Sequence, residues 1–248
     1  MRTFGDFRQN IFRLKPSASE AHMAFPFGLG GCGVHEVCET KHGDLPALLG
    51  FSLATKANRN GAVLHVQQSV LGLEHGEVLQ AGAVGLQAQP KPMLSVQTRK
   101  LTEALWTIEE GIKSAAVGSV IAEIEDCDFT ASRRLVLACG RYGVPEVLLM
   151  PYSREGATAA TARWRVRPNL SAENEFDQRG LGSSRWQAVL ERARQAPHLA
   201  GRRFDLDWND ETLSLTVVPG LASHQIEAGK DTLPLHSKRP TEKLKRYG

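Results

Sequence analysis

The sequence predicts an α/β fold, a mainly parallel sheet with helices on both faces and an antiparallel C-terminal extension. Two observations lead there. From Val34 onward short apolar runs alternate with stretches of helical periodicity, which in one domain implies parallel strands joined by crossover helices. After about Thr161 the runs follow one another without helices, and the last two flank the turn Asn209-Asp210-Glu211-Thr212, the pattern of an antiparallel hairpin. At 248 residues, 42% hydrophobic and 23% charged, the chain suits one large soluble domain.

Taken in order, Phe4, Phe7, Ile11 and Leu14 recur at helical spacing with Arg8, Arg13 and Lys15 between them, so the first fifteen residues predict an amphipathic helix. Such a helix either packs on its own domain or docks on a neighbouring molecule. Pro16–Glu20 reads as a linker, completing an N-terminal unit over 1–20, and Phe25–Gly33 as a glycine-rich approach to the first strand. The core is expected over 21–218. Its strands are predicted at Val34–Val37, Ala62–Val66, Met93–Val96, Val117–Ile124 and Val147–Met150, then Trp164–Pro168, Trp186–Arg194, Phe204–Trp208 and Leu213–Val217. The clearest helix is Thr98–Ser114, whose Leu101, Leu105, Ile108 and Ile112 form one apolar stripe. A second starts at Thr130 as N-cap, turns Leu135, Leu137 and Ala138 inward, and stops at Gly143. The tail, 219–248, is polar and basic: Lys238, Arg239, Lys243, Lys245 and Arg246 face only Glu242 in the last eleven residues. It reads as a disordered solubilising end, with a contact arm for DNA or an acidic partner as the lesser reading.

Net charge is +3, too small to argue for nucleic acid. Cys32, Cys38, Cys127 and Cys139 show neither a C-x-x-C pair nor zinc-ligand spacing, so they read as buried residues of a reducing compartment. No apolar run approaches the roughly 20 residues that span a bilayer; the expectation is a cytoplasmic protein with no membrane partner. The eight histidines lack metal pairing at i, i+4, and no nucleophile-elbow sequence occurs. No catalytic residue, metal ligand or cofactor is assigned.

Val34–Thr55 is laid out as a phosphate-binding strand, loop and helix. Glu39-Thr40-Lys41-His42-Gly43-Asp44 forms the loop and Leu45–Thr55 the helix, with Pro46 in its first turn. A working loop needs Gly-x-x-x-x-Gly-Lys-Ser/Thr, because glycines bring backbone N–H groups to the phosphates, lysine reaches the β/γ oxygens and the hydroxyl holds Mg²⁺. Here Gly43 is followed by Asp44, Leu45 and Pro46, and Asp44 as helix cap would place a carboxylate at the positive end of the helix. A second requirement is an acid at a strand end for Mg²⁺ or its water. Glu123 has that position, although without a matching loop it reads as a solvated carboxylate. The segment after the second strand, Gln67–Val70, offers no water-activating carboxylate.

Arg163, Arg165 and Arg167 alternate along one strand near Trp164 and Trp186, which makes them the candidate DNA contacts. The alternative is a solvated outer face whose aromatics pack inward. Arg133 and Arg134 have Glu125, Asp126 and Asp128 as nearby partners.

The ordered blocks Phe27–Val37, Glu103–Glu110, Thr130–Leu135 and Ala160–Val166 resemble the bacterial ImuA family, over roughly Phe25–Trp208. ImuA proteins resemble shortened relatives of RecA, so the resemblance implies a RecA-like fold. It also implies a cytoplasmic, DNA-damage-inducible accessory protein of SOS-type mutagenic translesion synthesis. The partners it implies are an ImuB-type Y-family-like protein and an error-prone replicative-type polymerase; DNA, RecA and a second copy of the chain are further candidates. The departures at Lys41-x-Gly43-Asp44-Leu45-Pro46 carry over no ATP-site residue, so ATPase activity is not expected. Two rivals remain: an atypical RecA-like ATPase using Lys41, and a cell-division inhibitor resembling the SulA group.

Overall fold

A computed structural model describes residue 29 and residues 33–55, 60–87, 89–174, 177 and 179–218. The N-terminal helix, its linker and the basic tail read from the sequence lie outside these residues. Nine strands form one sheet in the order β3-β2-β4-β5-β1-β6-β7-β8-β9. They are β1 Val34–Glu39, β2 Ala62–Gln68, β3 Met93–Thr98, β4 Val117–Glu123, β5 Glu146–Met150, β6 Ala162–Pro168, β7 Arg185–Ala193, β8 Arg203–Asn209 and β9 Ser214–Val217. From β3 to β6 every pairing is parallel. From β6 to β9 every pairing is antiparallel. This is the predicted α/β architecture, consistent with a RecA-like fold.

Helices cover both faces. On one lie α1 (Leu45–Ala54), α2 (Ser69–His75) and α3 (Gln80–Gly85), over a core that contains Val37, Ile121, Leu149, Trp164, Trp186 and Leu206. On the other lie α4 (Leu101–Ser114) and α5 (Phe129–Tyr142), over Val34, Cys38, Val120, Leu148 and Met150. A strand buried on both faces has no water-facing side, so any charge it holds must be matched inside the protein. β1, between β5 and β6, is fully buried along Val34–Glu39 and carries two glutamates.

Local chemistry shifts several predicted boundaries. The helix expected from Thr98 begins at Leu101, because Thr98 ends β3 and the Glu103 carboxylate accepts the backbone N–H groups of Arg99 and Lys100 at 3.2 and 3.3 Å. For α5 the cap is Asp128, not Thr130: Asp128 Oδ1 accepts from Ala131 N at 2.6 Å. Leu137, expected in the core, is 65% exposed, since two residues beyond the buried Leu135 lie on the far side of a helix. Gly143 ends α5 at φ +70°, as expected. The final strand starts at Ser214, after Leu213 takes φ +46°. The short helices α2 and α3 were not signalled by the sequence.

Candidate functional site

The C-terminal end of β1 is where a nucleotide phosphate would sit in this architecture. The chain closes that seat with its own carboxylate. Glu39 ends β1 and is 2% exposed. Its Oε1 accepts the backbone N–H of Leu45, the first residue of α1, at 2.7 Å, and its Oε2 accepts the N–H of Tyr152, just beyond β5, at 3.2 Å. A carboxylate on the first N–H of a helix occupies the role an anionic ligand would take. The cap expected from Asp44 is thus supplied by Glu39. Asp44 is buried, and its Oδ2 accepts the N–H of Lys41 at 3.2 Å across the loop. Further amides here are used internally: Thr40 N–H donates to Val166 O, Asp44 N–H to Lys41 O and, in the first turn of α1, Ala47 N–H to Asp44 O. Gly43 sits at φ +95° with open space beside it, so it serves the turn.

The other predicted positions fall as follows. Lys41 and Pro46 are exposed and Leu45 is buried. Glu123, expected to be solvated, is 4% exposed: it accepts from Gln67 Nε2 at 2.8 Å and lies 2.9 Å from His65 Nε2. Gln68 holds the next turn by donating to Glu125 Oε2 and accepting Glu125 N–H at 2.6 Å. Gln67 and Gln68 thus anchor the ends of β2 and β4 to each other. Above the seat, His42 reaches Glu74 at 3.1 Å, His75 lies 3.6 Å from the same carboxylate, and the His42 ring sits 6.1 Å from that of Tyr152. Among the described residues no group of three or more His, Cys, Asp or Glu is placed to hold a metal ion.

The three candidate DNA contacts of the arginine strand lie at different depths. Arg163, Arg165 and Arg167 share one face, and Trp164 and Trp186 pack inward on the other. Arg163 is 6% exposed, with Nε 2.6 Å from Glu36 Oε2. Arg165 is strapped to the chain: it donates to the carbonyls of Tyr152, Arg154 and Glu39 at 2.6, 2.6 and 3.0 Å, and its Nε lies 3.3 Å from Glu191. Arg167 alone of the three is exposed. The outer face further along is mixed in sign, with Arg185 on Asp207 and Gln187 on Asp205. Arg134 pairs with Glu109 on the neighbouring helix, not with the acids preceding α5.

Sequence reasoning missed Glu36 and Arg154. Glu36 is fully buried between two guanidiniums, Arg163 and Arg154, the latter with Nη2 at 3.4 Å. Arg154 also donates to the carbonyl of Cys127 at 2.6 Å, so the segment after β5 folds over β1 and β6 through arginine–carbonyl bonds instead of a helix. A charged residue inside a doubly covered strand was the available signal. Cys38 and Cys127 lie in this region as buried free thiols, each pushed up to about 12 by burial.

No family model matches the chain. Two relatives do. Protein ImuA of Caulobacter vibrioides, strain NA1000 / CB15N, is 32% identical over 183 residues, which cover 67% of this chain and 72% of that protein. Protein ImuA of strain ATCC 19089 / CIP 103742 / CB 15 aligns with the same identity and coverage.

Proposed function

The chain belongs to the ImuA family, and from that premise we propose that it is a non-catalytic accessory protein of damage-induced mutagenic translesion DNA synthesis. The observation behind the non-catalytic part is the Glu39 carboxylate on the N–H groups of Leu45 and Tyr152. With the anion seat filled from within and no lysine or hydroxyl after Gly43, a γ-phosphate has nothing to hold it. A nucleotide-driven cycle has no starting point there.

Function then rests on surfaces. In this reading the partners are an ImuB-type protein and an error-prone replicative-type polymerase, which the accessory protein helps to place at lesions. Protein contact is favoured over DNA contact, because two of the three alternating arginines are engaged within the fold. The outward sides of α4 and α5 offer Trp106 at 63% and Leu137 at 65% exposure, and exposed large apolar groups suit a protein interface.

The test is complementation. Cells lacking the gene are supplied with the wild-type chain or with Lys41→Ala, and damage-induced mutation frequency is scored. Full rescue by Lys41→Ala is the expected result; rescue by the wild type with none by Lys41→Ala would contradict the non-catalytic reading. Failure of the wild type to restore any induced mutagenesis would overturn the pathway.

A further inference from the structure

The turn that joins β7 to β8 concentrates positive charge. Its sequence from Arg192 to Arg203 holds Arg192, Arg194, His198, Arg202 and Arg203 and no acid. Ala193, Ala196 and Leu199 belong to the core under α1, while Arg192, Arg194, His198 and Arg202 are exposed and Arg203 is half-buried. The backbone beneath the charges is fixed. Arg194 N–H donates to Thr161 O at 2.8 Å, Leu190 N–H to Arg202 O at 2.9 Å, Gly201 N–H to Leu190 O at 2.7 Å and Arg202 N–H to Leu199 O at 3.1 Å. Strand spacing then puts the Cα atoms of Arg192 and Arg202 within about 10 Å of each other.

These charges are not spent on the protein's own acids. Among the described residues none of the four arginines forms an ion pair, and Arg194 gives a single donor to the carbonyl of Ala159 at 3.2 Å. Both flanking acids are engaged: Glu191 lies 3.3 Å from Arg165 Nε, and Asp205 accepts from Gln187 at 2.9 Å. The residues outside the described set carry twelve Lys and Arg against six Asp and Glu, so as a whole they add positive charge.

We propose that this corner is a nucleic-acid backbone site, where Arg192, Arg194 and Arg202 contact phosphates without reading sequence. Two features favour phosphate over an acidic protein segment. Protein interfaces draw most of their energy from aromatic and aliphatic anchors, and none of the exposed large apolar side chains lies between Leu190 and Phe204. The cations are arginines, whose planar fork matches phosphate oxygens in pairs, and a preformed turn presents them. The corner is separate from the sites already weighed: Arg194 meets Thr161, which donates to Val34 O at the other end of β1 from Glu39. It is also distinct from the outer sides of α4 and α5. Phosphate contact here therefore leaves Trp106 and Leu137 to a protein partner, so that one chain holds DNA and protein together.

Fluorescence polarisation of the full-length chain with labelled DNA of mixed sequence tests this, using single strands and duplexes of about 30 nucleotides between roughly 50 and 200 mM salt. The wild type is expected to bind both forms, with affinity falling steeply as salt rises. The triple variant Arg192→Gln, Arg194→Gln and Arg202→Gln should lose about tenfold or more in affinity and flatten the salt slope by roughly two to three. Its charge-keeping counterpart, Arg192→Lys, Arg194→Lys and Arg202→Lys, should stay within about threefold of wild type at low salt. Removing the same charge from the opposite end of the sheet, with Lys41→Gln, Arg99→Gln and Lys100→Gln, should cost less than about threefold. No saturable DNA binding by the wild type, undiminished binding by the glutamine triple, a lysine triple as weak as the glutamine one, or equal weakening from the distant triple would each overturn the proposal. Binding of a poly-glutamate peptide as tight as that of DNA would also overturn it, by assigning the corner to an acidic protein segment.

Discussion

β1 and β6 lie side by side in register and both carry charges through the sheet, yet they resolve them differently. In β1 the carboxylates of Glu36 and Glu39 are buried and spent entirely on the protein's own donors. Along β6 the guanidiniums run from buried Arg163 through strapped Arg165 to exposed Arg167. Charge at the centre of the sheet is therefore architecture, and charge available to another molecule begins only at its margin. The same sequence cue, an ionisable residue at alternating positions, has opposite meanings a few ångströms apart because burial decides it.

The comparison can be broken most forcefully at its shared contact. Glu36→Ala leaves Arg154 and Arg163 buried without their carboxylate, and a loss of about 3–5 kcal/mol is expected. Denaturant unfolding measures it; a loss below about 1 kcal/mol would mean the guanidiniums find water instead.

β5, on the other side of β1, sharpens the contrast. Glu146 is fully buried with no cation beside it among the described residues, and burial pushes its carboxyl up to about 8, only partly opposed by a contact from Cys139 at 3.8 Å. Folding thus favours its protonated form. Its contribution is complete below the unfolded value near 4.5 and is lost as pH rises through about 8, amounting to roughly 3 kcal/mol or more. Thermal melts are expected to fall between pH 6 and pH 8.5 in the wild type. Glu146→Gln should flatten that slope and melt higher than wild type at pH 8.5.

Glu39→Gln keeps one acceptor but turns an amide toward the second N–H donor, so a cost of about 1–3 kcal/mol is expected. Arg167→Ala should change stability by less than about 0.5 kcal/mol. If DNA binds at the outer face, Arg167→Ala weakens it more than Arg163→Ala does in chains shown to be folded, as salt-dependent retention on DNA would reveal.

Much of the fold could be read before the structure. The alternation of strands and helices gave the parallel sheet, and the turn at Asn209–Thr212 gave the hairpin. α2 and α3 were not legible, since seven- and six-residue helices show too little periodicity. The site was legible in what it lacks: no lysine or hydroxyl follows Gly43. What fills it was not, because Glu39 meets the N–H of Tyr152, 113 residues away. Glu123 misled for a related reason, as its partners His65 and Gln67 lie on another strand. Arg163, Arg165 and Arg167 did share a face, as the alternation said. Only the segment after β5 decided which of them water could reach.

The central claim is that the anion seat beside β1 is occupied by the protein itself. Calorimetric titration of the full-length chain with Mg-ATP tests it most directly. The account predicts no saturable heat of binding up to millimolar nucleotide, in the wild type and in Lys41→Ala alike. Saturable binding by the wild type that Lys41→Ala abolishes would contradict it.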